Sequence, residues 1–358
     1  MKEKCLITIT ALLSSTNMPY NDFLLYRRQN YQTEKKVIIV LFDKSIDNDV
    51  EYHDDIVLHR VGFDIVLLHK VVTDIVNECE RNNMKYIFHI HEAKSVIFFN
   101  IATAFKYVNQ IIYTVHSTYI NYNIRNKLFS WLSSNMCRDI VCVSKTSYKY
   151  FPRELKIMYG DRIKYIQNGV DTERINSIKI CRHRDSIFRL VYVARLVSLK
   201  NHKMLLSLLP KIENIEIYFI GNGKLKSKLM ALAAEYNISD RIHWCGKMPR
   251  SEVYQMLGTM DCYVSSSKWE GLPISVLEAM SSGLPCIVSD IEQHREVKEK
   301  CEELILASST KDWIDSIILL RDHSEWREKI GLSNKKRVAE YFSLKSMHDA
   351  YDNLYWSK

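Results

Sequence analysis

No run in this sequence stays apolar for long enough to cross a bilayer. Its N-terminal stretch KEKCLITITALLSS lacks a signal-peptide layout, because the apolar run starts five residues in and alternates as a strand does. The nine cysteines are scattered, odd in number and without CxxC spacing. That pattern argues against a disulfide framework or a zinc site and fits the reduced thiols of a cytoplasm. Low-complexity tracts are missing, which argues against disorder. The formal charge of +8 contains no single dense basic run, so nucleic acid is not an expected partner. No DxD-like acidic pair stands at a strand end; Asp54 and Asp55 lie in a polar segment ahead of a strand and read as solvated. These absences predict a soluble or peripheral cytoplasmic protein with no metal and no cofactor.

What is present is a long, two-part alternation. At 358 residues and 47% hydrophobic, the chain is too long for one typical core and suggests two domains. Residues 5–13, 36–42, 86–92, 110–117, 139–144 and 162–169 read as strands, with helical lengths at 93–108 and 122–136. A second series follows at 188–196, 215–221, 241–246, 261–267, 285–290 and 303–307, and the tail from 310 reads as helices. Near-continuous apolar strands suit parallel sheets covered on both faces. The polar stretch 171–186 is the expected linker. The expected domains are 1–178 and 186–340, both α/β and doubly wound.

The richest stretch is SSSKWEGLPISVLEAMSSGLPCIVSD, Ser265 to Asp290. Gly271 and Leu272 form a turn, Pro273 suits a first helical position, and Val276, Leu277 and Met280 have helical spacing up to Gly283. Free N–H groups of Ile274 and Ser275 at the helix start form an anion site. Glu270 sits at its mouth and Glu278 two turns deeper. Carboxylates beside an anion site would repel a phosphate unless they bind something else, and sugar or ribose hydroxyls meet that need. Taken alone, Glu-x7-Glu also fits two solvated glutamates.

The whole stretch, with GLP after the first Glu and AMSSGLP after the second, resembles the retaining GT-B glycosyltransferases of glycosyltransferase family 4. The resemblance implies two facing Rossmann-like domains with a cleft between them, and a last helix, 341–358, crossing back onto the first. It implies that Glu270 meets the donor sugar and Glu278 the ribose. In VYVARLVSLKNHK a strand delivers Arg195 and Lys200, and R-x4-K there looks like the family's diphosphate-binding pair. Without the resemblance they read as solvated loop cations. Fixed cations would stabilise the charge that grows on the leaving diphosphate, with no metal needed.

Other matches are weaker. Gly221 in the GNG turn permits close backbone approach, though an ordinary strand–helix turn is the simpler reading. Gly246 and Met248 match the segment edging the nucleobase. His116 ends a strand where the family has a histidine facing the reacting sugar. His89 and His91 are expected on opposite sides of their strand, with His91 toward the cleft. Asn168 and Asp171 match a family segment that could fix the hinge and cleft wall or equally touch ligand. The family's glycine-rich first loop is absent from 12–30, where Ser14, Ser15 and Thr16 are the acceptor-side candidates. Aromatics mixed with Lys and Arg over 121–156 suggest a helix on an anionic membrane surface or a packed helix with a solvated face.

The resulting expectation is a metal-independent, retaining transferase. It moves a sugar from a nucleotide-sugar donor, UDP-linked, to a glycan or lipid-linked glycan in bacterial surface polysaccharide synthesis, at the inner face of the membrane. A sugar-nucleotide epimerase or hydrolase and a non-catalytic binding scaffold are the rivals.

Overall fold

The computed structural model describes residues 3–11, 27, 34–42, 50–53, 56–116, 118–178 and 186–356. The chain forms two compact units, Met1–Gln167 with His348–Lys358, and Asn168–Met347. Ser14, Ser15 and Thr16, and the Asp54–Asp55 pair, lie outside the described residues.

The first unit carries strands β1 (Lys4–Thr10), β2 (Glu34–Val40), β3 (Val50–His53), β4 (Ile56–Arg60), β5 (Lys85–Ile90), β6 (Ile111–Val115), β7 (Asp139–Cys142) and β8 (Ile163–Tyr165). They form one sheet in the order β3-β4-β2-β1-β5-β6-β7-β8. All neighbours are parallel except β3, which turns back on β4 as an edge hairpin. Both faces are covered: Cys5, Leu6, Ile7 and Ile9 of β1 are each at most 1% exposed. One covering helix, Ile65–Arg81, starts where the Asp64 carboxylate accepts from the Leu67 N–H at 2.9 Å, and it buries Leu68, Val72, Ile75, Val76 and Cys79. That spacing is one apolar stripe on a helix.

Charge also holds this unit together. Arg27, fully buried, donates to both Glu34 oxygens at 2.5 and 2.8 Å and to Asp352 at 2.7 Å. The helix Leu344–Trp356 starts in the second unit, and its residues from His348 on belong to the first. There Tyr355 donates or accepts with His89 Nδ1 at 2.6 Å.

The second unit carries β9 (Phe188–Val193), β10 (Ile215–Ile220), β11 (Ile242–Gly246), β12 (Cys262–Ser265), β13 (Cys286–Ser289) and β14 (Ile305–Ala307), all parallel, in the order β11-β10-β9-β12-β13-β14. Succession runs one way from β9 through β10 to β11 and the other way from β12 onward. The reversal between β9 and β12 is a topological switch point, where ligands bind parallel sheets.

The units divide at Gln167–Asn168, ahead of the 171–186 stretch where a linker was expected. The cause is local bonding. Val170 N–H donates to Phe342 O at 2.8 Å, and Leu344 N–H donates to Val170 O at 3.0 Å. A Cβ at Gly169 would lie 2.3 Å from Ser343 O, so only glycine admits this approach. Asp171 caps Thr172–Asn176 by accepting from the Arg174 N–H at 3.0 Å. Asn168, 8% exposed, therefore sits in a bonded segment of the second unit.

The long helix Ser324–Tyr341 crosses the end of the helix Ile274–Ser281 glycine on glycine. A Cβ at Gly331 would lie 2.1 Å from Gly283 O, and Asn334 Nδ2 donates to Leu284 O at 3.0 Å close by. Gly331→Val should therefore cost about 2–4 kcal/mol through forced separation. Urea denaturation measures this, and an unchanged midpoint would rule out the close crossing.

Candidate active site

The residues expected to hold a diphosphate and a sugar meet at the ends of β9 and β12. After β9 the chain continues through Ala194 and Arg195 to Leu196, which is 1% exposed and anchors the turn. The glycines after β10 brace that turn from behind. Leu196 N–H donates to Asn222 O at 3.1 Å, and Gly221 N–H donates to Gly246 O at 2.7 Å. A Cβ at Gly221, whose φ is +138°, would lie 2.1 Å from Ala194 O, and one at Gly223 would lie 2.4 Å from Leu196 O. These glycines serve backbone contact with the Arg195 turn, which matches the simpler reading of the GNG segment. Gly246 supplies a carbonyl to the same brace and has φ +70°. Met248 is half-buried against the core of this unit.

Arg195 is exposed, and no carboxylate pairs with it among the described residues. Lys200 behaves differently. It ends the short turn Ser198–Lys200, and its ammonium donates to Glu270 Oε1 at 2.5 Å. Its carbonyl accepts from Tyr192 OH at 3.1 Å and from Ser266 Oγ at 3.0 Å. Tyr192 OH also shares a hydrogen bond with Ser267 Oγ at 2.8 Å, and Ser289 Oγ donates to Ser267 O. A buried hydroxyl network thus joins the ends of β9, β12 and β13 beneath the ion pair.

The helix after Glu270 departs from expectation at one point. It runs Ile274–Ser281, and Pro273 at φ −79°, ψ 71° stands just outside it. Those angles make an inverse γ-turn, in which Ile274 N–H donates to Leu272 O at 2.9 Å. The Ile274 donor is therefore spent, and the expected pair of free N–H groups reduces to Ser275. Ser275 Oγ accepts from Tyr263 OH at 2.8 Å, which fixes its rotamer. Gly271 remains half-buried in the turn.

Glu278 is 5% exposed and ion-paired. Arg250 reaches its Oε1 from Nε at 2.9 Å and from a terminal nitrogen at 2.5 Å, and Tyr254 OH adds 3.0 Å. All three donors converge on one oxygen, leaving Oε2 as the acceptor edge. Arg250 and Tyr254 were not among the expected site residues. The only signal for Arg250 was its place directly after the GKMP segment, at the start of helix Arg250–Leu257.

Two buried histidines flank this site. His202 packs between Tyr192, tilted against it, and Phe219, which meets it edge to face, with ring centroids 4.8 and 5.1 Å away. Burial pushes its pKa down to about 4. His294 donates from Nδ1 to Ser289 O at 2.7 Å, and burial lowers its pKa as well.

In the first unit, His89 and His91 lie on the same side of β5, their ring centroids 4.2 Å apart. This corrects the expectation of opposite sides: strand side chains alternate with period two, so positions i and i+2 share a face. His91 is 5% exposed and its Nδ1 bonds His116 Nε2 at 3.0 Å. His116, just past β6, has its pKa pushed down to about 4 by burial and is neutral at pH 7. Glu92, also unanticipated, accepts from the Ala11 N–H at 3.0 Å and from Thr10 Oγ1 at 3.2 Å, tying β1 to β5 at their ends. Burial raises its pKa.

No cluster of three His, Cys, Asp or Glu positioned to hold a metal occurs among the described residues. No described helix is long and apolar enough to cross a membrane.

Two Rossmann-like units, each with a parallel sheet, define a GT-B fold, and solved structures share it. A glycosyltransferase from Rickettsia africae matches with TM-score 0.78 and 16% identity, covering 99% of this chain and 98% of that one. HepE from Anabaena, solved with UDP and glucose, matches with TM-score 0.76 and 13% identity, covering 99% and 100%. At these identities the likeness establishes the fold alone. Two sequence families match in tandem, Glycosyltransferase Family 4 over residues 54–174 and Glycosyl transferases group 1 over 174–337. The chain belongs to glycosyltransferase family 4, the group 1 glycosyl transferases. Among relatives, the UDP-Gal:alpha-D-GlcNAc-diphosphoundecaprenol alpha-1,3-galactosyltransferase of Escherichia coli is 29% identical over 57% of this chain and 58% of its own length. Bacillus subtilis EpsD, a putative glycosyltransferase, is 26% identical over 74% and 76%.

Two outcomes follow from the site. Arg250→Ala leaves the Glu278 carboxylate buried and unpaired, which should cost about 2–4 kcal/mol in chemical denaturation, against a smaller loss for Glu278→Gln. Acid should also destabilise the protein through His116 and His202. The unfolded chain takes up their protons near pH 6.5, whereas the folded chain resists until about 4. Stability from each is full above about pH 6.5 and falls by roughly 1.4 kcal/mol per pH unit below it. His202→Phe should flatten this limb by about one proton, measured as unfolding free energy against pH.

Proposed function

We propose that the protein transfers a sugar from a UDP-linked donor to a lipid-linked glycan acceptor in the assembly of a bacterial surface polysaccharide. The observation that carries this reading is the Lys200–Glu270 ion pair beside the exposed Arg195 at the β9/β12 switch point. Support for the donor and acceptor classes comes from the similar proteins: HepE was solved with UDP and glucose, and the Escherichia coli relative is a UDP-Gal:alpha-D-GlcNAc-diphosphoundecaprenol galactosyltransferase. Lipopolysaccharide galactosyltransferases of Escherichia coli and Salmonella typhimurium, 30% and 28% identical over 38% and 46% of this chain, point the same way.

The chemistry follows from exchange of partners. Without ligand, Glu270 neutralises Lys200. An incoming diphosphate offers Lys200 a stronger anion and gives Arg195 its first one. Glu270 is then released toward the sugar hydroxyls, for which a carboxylate acts purely as acceptor. As the anomeric C–O bond breaks, charge accumulates on the β-phosphate, and Arg195, Lys200 and the Ser275 N–H oppose it without reorganising. Glu278, steered by Arg250, presents Oε2 to the ribose. The leaving phosphate takes the acceptor's proton, attack comes from the same face, and anomeric configuration is retained. In this reading no metal is required.

The variants separate these roles. Arg195→Ala should lower transfer by about 10²–10³ fold. Glu270→Gln should also suppress transfer, yet strengthen UDP binding severalfold because Lys200 loses its competing carboxylate. Calorimetric titration with UDP in EDTA, together with product formation on a lipid-diphosphate acceptor, measures both. Full transfer by Arg195→Ala would overturn the site. Free or epimerised sugar produced without acceptor would establish the hydrolase or epimerase instead, and nucleotide binding with no product of any kind would establish the binding scaffold. Product anomer by NMR decides retention.

A further inference from the structure

The helix Ile124–Asn135 in the first unit is inside out. Its buried face is Ser130, Ser133 and Ser134, each 0% exposed. Two of these hydroxyls find carbonyls within the fold: Ser133 Oγ donates to Ala93 O and Phe129 O, both at 2.7 Å, and Ser134 Oγ donates to Ser130 O at 2.7 Å. The outer face is apolar. Ile124 is 87% exposed, Leu128 53% and Trp131 41%, and Ile120 in the preceding turn is 54% exposed. Spacings of four and three residues place Ile124, Leu128 and Trp131 on one stripe, opposite the serines. A water-soluble helix has the reverse arrangement.

Cations border the stripe. By helical angle Arg125 lies on one side of it and Lys127 on the other. Arg125 is held over the Phe129 ring at 5.5 Å and Lys127 over the Tyr119 ring at 5.9 Å. Lys94 approaches Phe129 from the neighbouring helix Ala93–Ala102 at 5.8 Å. Between Glu92 and Asp139 the sequence contains no Asp or Glu at all. The face is thus an apolar ridge with positive flanks and no negative charge of its own.

We infer that this face docks on an anionic lipid surface, with Ile124, Leu128 and Trp131 entering the headgroup–acyl boundary and Arg125, Lys127 and Lys94 meeting lipid phosphates. The charge decides the occupant. A protein partner is matched by mixed polar groups at its rim, whereas a one-sign cationic border around exposed Ile, Leu and Trp matches an acidic bilayer. The inference is independent of the transferase reading, because it needs neither donor nor acceptor to be observed. It would hold an enzyme with this site beside membrane-embedded substrates.

The test is co-sedimentation of the full chain with vesicles of phosphatidylglycerol in phosphatidylcholine, compared with phosphatidylcholine alone. The wild type should pellet with the acidic vesicles and be released by salt. The triple variant Ile124→Ser, Leu128→Ser, Trp131→Ser and the double variant Arg125→Glu, Lys127→Glu should each lose about tenfold or more in partitioning. These positions are on the surface, so unchanged thermal melting verifies that the fold is kept. Wild type remaining in solution with acidic vesicles, or variants that bind as well as wild type, would overturn the inference. So would sedimentation velocity showing wild-type dimers that the triple variant abolishes without any vesicle binding, since the face would then pair two copies of the chain.

Discussion

Lys200 and Glu270 neutralise each other across the gap between β9 and β12, and most of the second unit serves to hold that gap. The strands fan out in opposite order on either side of it, so their ends leave a crevice that no connecting helix crosses. Beneath the ion pair, Tyr192, Ser266, Ser267 and Ser289 form a buried hydroxyl layer that ties three strand ends together. Behind it, glycines of the β10 loop come so close to Ala194 and Leu196 that no side chain would fit. A cation on one strand end and a carboxylate on the next can be placed to within hydrogen-bonding distance because the floor between them is rigid.

The same economy explains Glu278. A carboxylate buried on a helix is costly unless paired, and Arg250 with Tyr254 pairs one oxygen completely. The remaining oxygen is oriented without being occupied. Arg195 has the opposite character, exposed and unpaired by any described carboxylate. One cation is neutralised by an acid on the next strand end, and the other has no carboxylate partner among the described residues.

The two units use charge and neutrality differently. In the first, Arg27 is buried against Glu34 and Asp352, securing the returning end of the chain. The histidines near the ends of β5 and β6 are kept neutral by burial. The second unit thus carries permanent charge at its strand ends, and the first carries histidines that burial keeps uncharged.

Much of this was legible in the residues. Both sheets, apart from the β3–β4 edge of the first, could be read from uninterrupted apolar runs, since a strand buried on two faces needs nothing else. The strand-end positions of Arg195, Lys200 and Glu270 followed from where those runs stop. Side-chain partnership was not legible, because a sequence carries no distances between residues seventy positions apart. Arg250 on Glu278, the spent N–H of Ile274 and the shared face of His89 and His91 emerged only when turns and packing set directions. The inside-out helix shows the division most clearly. Its mixture of serine, aromatic and cation was visible in 121–138, but either face could have turned inward. Tertiary structure decided that the serines went in, because their small side chains permit close approach to the neighbouring helix and the Ser133 hydroxyl finds the Ala93 carbonyl there.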